Sequence, residues 1–348
     1  MTAGRQVVRN SLFGVVSQVV GGGLFFLVAI IIARRLGPDG YGPFSFVFAF
    51  VTVFQMLADF GLTNILVREI AREKSKVDEI LGAAVPLVTL FAATGYGLIV
   101  VSIQFLRLGP ATEQAMYLMG ATVLVTFHAA VYGSVCRAFE EMGFNALGLV
   151  LQRVVLLILV VAALRLEAGQ PGFALCYLGE RVCQWLFFYA LVRKRYAHYA
   201  WRIDVGYWGY LIREGWPIGT GMVLRRISWY VDTFILAALS TPSSVGLFSA
   251  AYRIVQMVNV IPFTLSLPIF PVLSRLAVES ADRAFSAYLR ALKIFVLIGL
   301  PVGLWLFALG PQVMVLLFGA AYQPAGTVLR ILGLAVGFLF SIHSQLTN

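Results

Sequence analysis

The sequence predicts an all-α, polytopic membrane protein of about ten transmembrane helices, arranged as two parallel-repeat lobes with the second lobe truncated. Three observations carry this reading. Of the 348 residues, 60% are hydrophobic and only 12% are charged, where a soluble domain carries about 25% charged residues. Apolar runs of roughly 20 residues, the length a helix needs to cross a ~30 Å hydrocarbon core, recur along the chain. One block of the pattern returns 204 residues later. A β-barrel would instead need short alternating segments with a polar lumen face.

The expected spans cover 11–33, 41–66, 80–106, 114–136, 144–164, 170–192, 216–238, 246–271, 291–318 and 323–345. The first is too long for the core of a cleaved signal peptide, and no small-residue cleavage site precedes Arg34-Arg35. Cys136, Cys176 and Cys183 fall in or beside apolar spans. They form no metal-ligand spacing and read as packing residues. Pro86, Pro262, Pro268, Pro271 and Pro301 lie within or at the ends of spans, where each removes a backbone donor and can bend the helix.

Charge sets the expected orientation. The net charge is +10. Sixteen of the 26 basic residues fall on the N-terminal side of the bilayer, in the loops around 68–76, 137, 193–213 and 275–293, and at Arg5 and Arg9. Four (Arg34, Arg35, Arg107 and Arg165) fall on the other. Basic loops are retained in the cytoplasm, so the chain is expected in the cell inner membrane, multi-pass, with its N-terminus cytoplasmic. Membrane lipids then account for the basic loops, and no nucleic acid is needed as a partner.

The repeat pairs Ile30-Ile31-Ile32-Ala33 through Tyr41-Gly42-Pro43-Phe44-Ser45 with Phe234-Ile235-Leu236-Ala237 through Val245-Gly246-Leu247-Phe248-Ser249. Six spans fit within one offset, and an even number leaves the second copy in the same orientation. The expected layout is an N-terminal lobe at 1–192 with six helices, a basic cytoplasmic linker at 193–213, and an incomplete C-terminal lobe at 214–348 with four. Symmetry would require two more helices, so the chain reads as a fragment or truncated product. Transporters commonly hold substrate between two such halves.

The repeat blocks belong to a wider set of motifs. Arg9-Asn10-Ser11, Ala33-Arg34-Arg35-Leu36-Gly37-Pro38-Asp39-Gly40-Tyr41-Gly42, Asp59-Phe60-Gly61-Leu62 and Arg68-Glu69-Ile70-Ala71 mark the first half. Asp232-Thr233-Phe234-Ile235-Leu236, Val245 to Arg253, Pro271 to Arg275 and Phe318 to Ala325 mark the second. In order and spacing these resemble the polysaccharide (O-antigen type) flippases of the multidrug/oligosaccharidyl-lipid/polysaccharide exporter superfamily. The resemblance implies 12 to 14 helices in two lobes. It implies movement of lipid-pyrophosphate-linked oligosaccharide from the cytoplasmic to the outer leaflet by alternating access, with glycan polymerase and glycosyltransferases as partners.

Ionisable residues inside spans are the candidate site. A charge at the bilayer centre costs roughly 2.5–3.5 kcal/mol on insertion scales, so it faces a cavity or a partner. The set is Asp59, Arg153, Glu180, Arg181, Arg225, Arg226, Asp232, Arg253 and Arg330. Arg225 and Asp232 are two helical turns apart and share a face. Asp232 and Arg253 lie at matching depth on consecutive spans and are expected to pair. Arg225, with Arg226, Arg153 and Arg330, is the candidate for binding an anionic diphosphate through guanidinium forks. Its bland alternatives are an unseen acid or snorkelling to the interface. Arg153 with Glu180 reads equally as a structural ion pair, beside Arg181. Asp59 could titrate and couple transport to a proton or sodium gradient, cap a helix, or pair with an arginine. His128 reads as a packing residue.

No enzyme signature is visible: no phosphate-binding loop ending in Lys-Ser/Thr, no metal spacing and no nucleophile–His constellation. No cofactor is expected. A multidrug exporter of the same superfamily, or a non-transporting membrane component of glycan assembly, are the alternatives. A drug exporter's cationic substrates would favour a carboxylate-rich cavity, whereas six arginines face three acids here. The orientation has a direct test. A Lys194→Cys variant should be labelled by a membrane-permeant maleimide and spared by an impermeant one in intact cells. Labelling from outside would reverse the topology.

Overall fold

The computed structural model describes the backbone of residues 3–343. Side chains are described from residue 13 to 340, apart from 263, 264, 267, 268, 270, 271, 274, 277, 281 and 337–339. Arg5, Arg9 and the rings of Pro268 and Pro271 therefore lie outside the described side chains. Among the described residues the regular structure is helical. Twelve α-helices follow in order: α1 Ala3–Asp59, α2 Leu62–Arg72, α3 Val77–Phe105, α4 Pro110–Gly120, α5 Thr122–Ala138 and α6 Met142–Arg165. Then come α7 Gln170–Arg195, α8 Val205–Leu239, α9 Pro242–Val258, α10 Val260–Glu279, α11 Ala281–Phe318 and α12 Ala325–His343. The chain is an all-α, multi-pass membrane protein.

Among the described residues, six helical stretches are long and apolar enough to cross a membrane: Phe13–Arg72, Lys74–Phe105, Pro110–Ala138, Met142–Arg165, Pro242–Pro262 and Asp282–Phe318. The first, at 60 residues, holds the first two expected spans. The expected spans at 170–192 and 216–238 are helices too, but α7 and α8 carry too many polar residues to meet the same test. The described apolar part of α12, Ala325–Val336, is shorter.

Local chemistry sets the breaks. At Gly37 φ is 65° and ψ is 174°, dividing α1 into two helices. A left-handed φ suits glycine because it has no Cβ to clash. Pro38 follows, where a missing N–H costs nothing at a helix start. α1 ends at Phe60-Gly61, both with positive φ (45° and 78°). Asp59 then accepts the amide of Thr63 at 3.3 Å and its hydroxyl at 3.0 Å. It satisfies an amide at the start of α2 that would otherwise lack a partner.

The chain forms two compact units: Met1–Val28 with Pro43–Thr241, and Ala29–Gly42 with Pro242–Asn348. In the first, α7 packs on α4, α5 and α6, while α2 and α3 contact α5 and α8. The segment read as a basic linker at 193–213 is largely built into this unit. α7 continues to Arg195 and α8 begins at Val205. The stretch between them is strapped down. The His198 amide donates to Asp78 Oδ1 at 2.7 Å and the Arg202 amide to the Gly82 carbonyl at 2.9 Å. Trp208 Nε1 donates to the Ala83 carbonyl at 2.8 Å. Arg195 pairs with Glu141 at 3.0 Å, and the Tyr196 hydroxyl donates to the same carboxylate. Arg68 bridges Glu214 at 2.7 Å, and Lys74 lies 5.4 Å from the centre of the Phe139 ring. The basic loops at 68–76, 137–141 and 193–214, assigned to one side by charge, thus meet at one end of this unit.

The second unit packs α12 against α9, α10 and α11, and α10 against α11. The turn of the first repeat, residues 29–42, is built into it. Arg34 donates to the carbonyls of Leu317 (2.7 Å) and Leu316 (2.6 Å), closing the C-terminal end of α11. Cationic donors are favoured there by the helix dipole. The Tyr322 hydroxyl donates to the Ala33 carbonyl at 2.8 Å, and its ring meets Tyr41 edge-on at 6.5 Å.

Gly42 and Gly246 occupy equivalent repeat positions, as do Pro38 and Pro242. Their contacts are reciprocal. A Cβ on Gly42 would lie 1.9 Å from the Pro242 carbonyl oxygen, and one on Gly246 would lie 2.1 Å from that of Pro38. The two copies therefore cross backbone to backbone, which only small residues permit. Gly42→Ala and Gly246→Ala should each cost roughly 1–3 kcal/mol by overpacking, read as a lowered Tm in detergent. Gly14→Ala, which has nothing within 4 Å of the added methyl, should leave Tm unchanged or raise it. Equal Tm values for all three variants would contradict the crossing.

Candidate functional site

A polar cluster in the first unit is built from α6 and α7: Arg153 on α6 meets Glu180 on α7, which is joined to Arg181 and Gln184. Glu180 is fully buried, with 0% of its side chain exposed. Arg153 Nη1 stands 3.6 Å from Glu180 Oε2, and Arg181 Nε stands 3.4 Å from Oε1. Neither carboxylate oxygen has a hydrogen-bond donor among the described residues. The attraction is therefore Coulombic at slightly long range, strong where water is scarce but not directional. Arg181 also reaches Gln184 Oε1 at 3.5 Å.

α1 supplies the wall facing this cluster. The Arg153 guanidinium lies 4.3 Å from the centre of the Phe25 ring, and its stem runs along Gly21, 3.6 Å from the position of an added Cβ. A guanidinium over an aromatic face gains cation–π attraction in place of lost hydration. Phe25, Phe44 and Phe48 gather around Tyr177 with ring centres 5.7–6.3 Å apart. Phe48 continues to Tyr230 on α8. Two guanidinium groups flank one carboxylate, leaving a net positive patch on an aromatic wall.

The remaining expected residues divide between the units. On α8, Arg225 and Asp232 are exposed and Arg226 is half-buried. Neither Arg225 nor Arg226 forms an ion pair among the described residues. Val223, Tyr230 and Thr233 form the buried side of that helix. Asp59 caps the start of α2 through Thr63 and lies within electrostatic reach of Arg137. In the second unit, Arg253 donates to Gln256 at 3.1 Å. Arg330 is exposed, and its Cγ lies 3.1 Å from the position of a Cβ on Gly310. Asp232 belongs to the first unit and Arg253 to the second, so their pairing stands as an expectation of depth alone. His128 bonds Thr89 at 2.9 Å and the Leu124 carbonyl at 2.7 Å, within the first unit's helices.

Sequence reasoning missed Gln152, 1% exposed and next to Arg153 in the chain, and the aromatic wall. The signal for Gln152 was present: it is the polar neighbour of Arg153 in an apolar span. The roles of Arg34 and Tyr322 were also missed, because both lie in motifs recognised only by resemblance.

Removing the shared counter-ion is the direct probe of this site. Glu180→Gln leaves two guanidinium groups together in the interior, and breaking a buried pair costs about 3–5 kcal/mol. The variant should show a clearly lowered Tm in detergent, and Arg181→Gln a smaller loss because Arg153 still faces the carboxylate. A Tm equal to wild type for Glu180→Gln would deny Glu180 this role.

Similarity to known proteins agrees with this architecture. The family model for "Polysaccharide biosynthesis protein" matches residues 7–277. The succinoglycan biosynthesis transport protein ExoT of Rhizobium meliloti (strain 1021) is 24% identical over 345 residues, covering 96% of this chain and 67% of that protein. Among solved structures, an inward-facing multidrug resistance MATE family transporter of the MOP superfamily superposes with a TM-score of 0.73 at 19% identity. It covers 94% of this chain and 82% of its own. A MOP superfamily transporter from Pyrococcus furiosus, described as having a binding pocket of reverse polarity, gives a TM-score of 0.64 at 19% identity, over 98% and 83% of the two chains. The chain thus shares the fold of these solved transporters, and it belongs to the polysaccharide biosynthesis protein family.

Proposed function

We propose that the protein is a membrane transporter of lipid-linked oligosaccharide, a flippase working by alternating access in the synthesis of cell-surface polysaccharide. The observation that carries this reading is the charge of its intramembrane residues, within a family named for polysaccharide biosynthesis. Six arginines face three acids in the spans, and the Arg153–Glu180–Arg181 cluster has one guanidinium in excess of its carboxylate. A diphosphate-linked sugar is an anion that guanidinium groups bind bidentately. A multidrug exporter with the same fold would serve cations better with carboxylates in the majority. The chain acts without catalysis. It resides in the inner membrane with its N-terminus in the cytoplasm, beside the glycosyltransferases and polymerase that make and extend the glycan. A proton or sodium gradient drives the cycle, with Asp59 and Asp232 as candidate coupling carboxylates.

Within this reading Arg225 meets the pyrophosphate; Arg226 and Arg153 in the same unit, and Arg330 in the second unit, are each weaker candidates for an anion contact. In the full reading frame, Arg225→Ala should abolish glycan export at unchanged protein abundance. Arg225→Lys should recover only part, since an ammonium keeps the charge but loses the planar fork. Normal export by the alanine variant at wild-type abundance would remove Arg225 from the path.

A further inference from the structure

We infer that Arg34 and Tyr322 form a releasable latch, which joins the two repeat halves at the outer face and must open before the glycan leaves there. This deepens the transport reading and the orientation proposed above, and rests on both.

The latch joins two helix ends. The first half of α1 stops at Gly37 (φ 65°) and α11 stops at Gly319 (φ 97°). Both ends are C-terminal, so each presents carbonyls that the helix leaves without donors, and each carries partial negative charge. Brought together bare, they would repel. Each is closed instead by a side chain from the other block. Arg34 Nε and Nη2 donate to the carbonyls of Leu317 and Leu316, at 2.7 and 2.6 Å. The Tyr322 hydroxyl donates to the Ala33 carbonyl at 2.8 Å. The Tyr322 ring meets both Tyr41 and Phe318, with centres 6.5 and 5.6 Å away.

The partners come from different halves of the sequence. Arg34 belongs to the first repeat block, and Leu316, Leu317 and Tyr322 follow the second. Any rocking of one half against the other that opens the outer face must part them. The charge of Arg34 is also unexpected at this turn. Basic residues are disfavoured in outer loops, and Arg34 is one of four expected on that side. A specific contact accounts for its presence where topology alone would not.

The contacts are built to be broken and remade. Arg34 is exposed, so its guanidinium and the carbonyls it leaves are rehydrated on parting, and the net gain from such bonds is small. Tyr322 is 1% exposed, so its hydroxyl exchanges Ala33 for water when the blocks separate and not before. The nearby crossing at Gly42 and Gly246 brings backbones together, and it can part without any side chain being withdrawn.

The test uses the full reading frame. In one arm Cys136, Cys176 and Cys183 are replaced by alanine, and cysteines are placed at the exposed neighbours of the latch, Arg35→Cys and Gln323→Cys. Bridging them with a short reducible bis-thiosulfonate should stop glycan export, and reducing the bridge should restore it. Export that continues through a completed bridge overturns the latch, because the turn is then a fixed part of the second unit. The other arm needs no transport. Ser249 is 9% exposed and lies one turn from Gly246 on the same face. In purified protein, Ser249→Cys should react with a maleimide about tenfold faster when Arg34→Ala or Tyr322→Phe is added, with Arg34→Lys in between. Native Cys136, 0% exposed in the first unit, should stay unreacted. Unchanged reactivity at Ser249→Cys overturns the latch. So does an equal rise at Cys136, which would make both side chains general supports of the fold. Export that persists when the reading frame is deleted ends the transport reading instead, and the labelling arm then judges the latch alone.

Discussion

Inside a bilayer an open amide or carbonyl has no water to turn to, and each one left unsatisfied costs several kcal/mol. The fold obeys this constraint first. Long helices satisfy most of the backbone internally, and at several breaks another group takes over. Asp59 receives Thr63 at the start of α2, Arg34 closes the last carbonyls of α11, and Tyr322 reaches the carbonyl of Ala33. These three side chains sit in short motifs that look unremarkable as sequence. Each holds a helix end, and two of them tie residues 29–42 to the second unit.

The same scarcity of water governs the charges. Glu180 is withdrawn from solvent completely, and two guanidinium groups accompany it, one of them resting on Phe25. The contacts are long and lack hydrogen-bond geometry. A loosely held counter-ion of this kind can yield its arginines to a competing anion more easily than a tight bidentate bridge would. The cluster is thus both a structural pairing and a positive surface, and the two descriptions that sequence left open for Arg153 and Glu180 are compatible.

Much of this was legible in sequence because it depends on periodicity and count. Apolar run length located the helices, the asymmetry of Lys and Arg grouped the loops that meet at one end of the first unit, and equal depth on consecutive spans brought Arg153 to Glu180. What sequence could not reveal depends on distant contacts of ordinary residues. Sequence marks 193–213 only as a basic linker, because the bonds of the 196–204 backbone to Asp78 and Gly82 leave no trace in composition. The exchange of 29–42 between units was invisible because a repeat specifies which blocks resemble each other, not which blocks touch. Arg225 and Arg226 remain where sequence put them, mid-helix on α8. Their chemistry depends on what faces them.

The repeat finally explains both likeness and difference. Where the two copies meet, at Gly42 and Gly246, each has kept the same small residue and the same proline carbonyl. A reciprocal crossing this close admits no side chain on either side. Away from the crossing nothing enforces identity. At the loop-side ends the first copy holds its own chain against Glu69 and Asp78, and the second has exchanged Glu69 for Leu273 and Glu79 for Arg283.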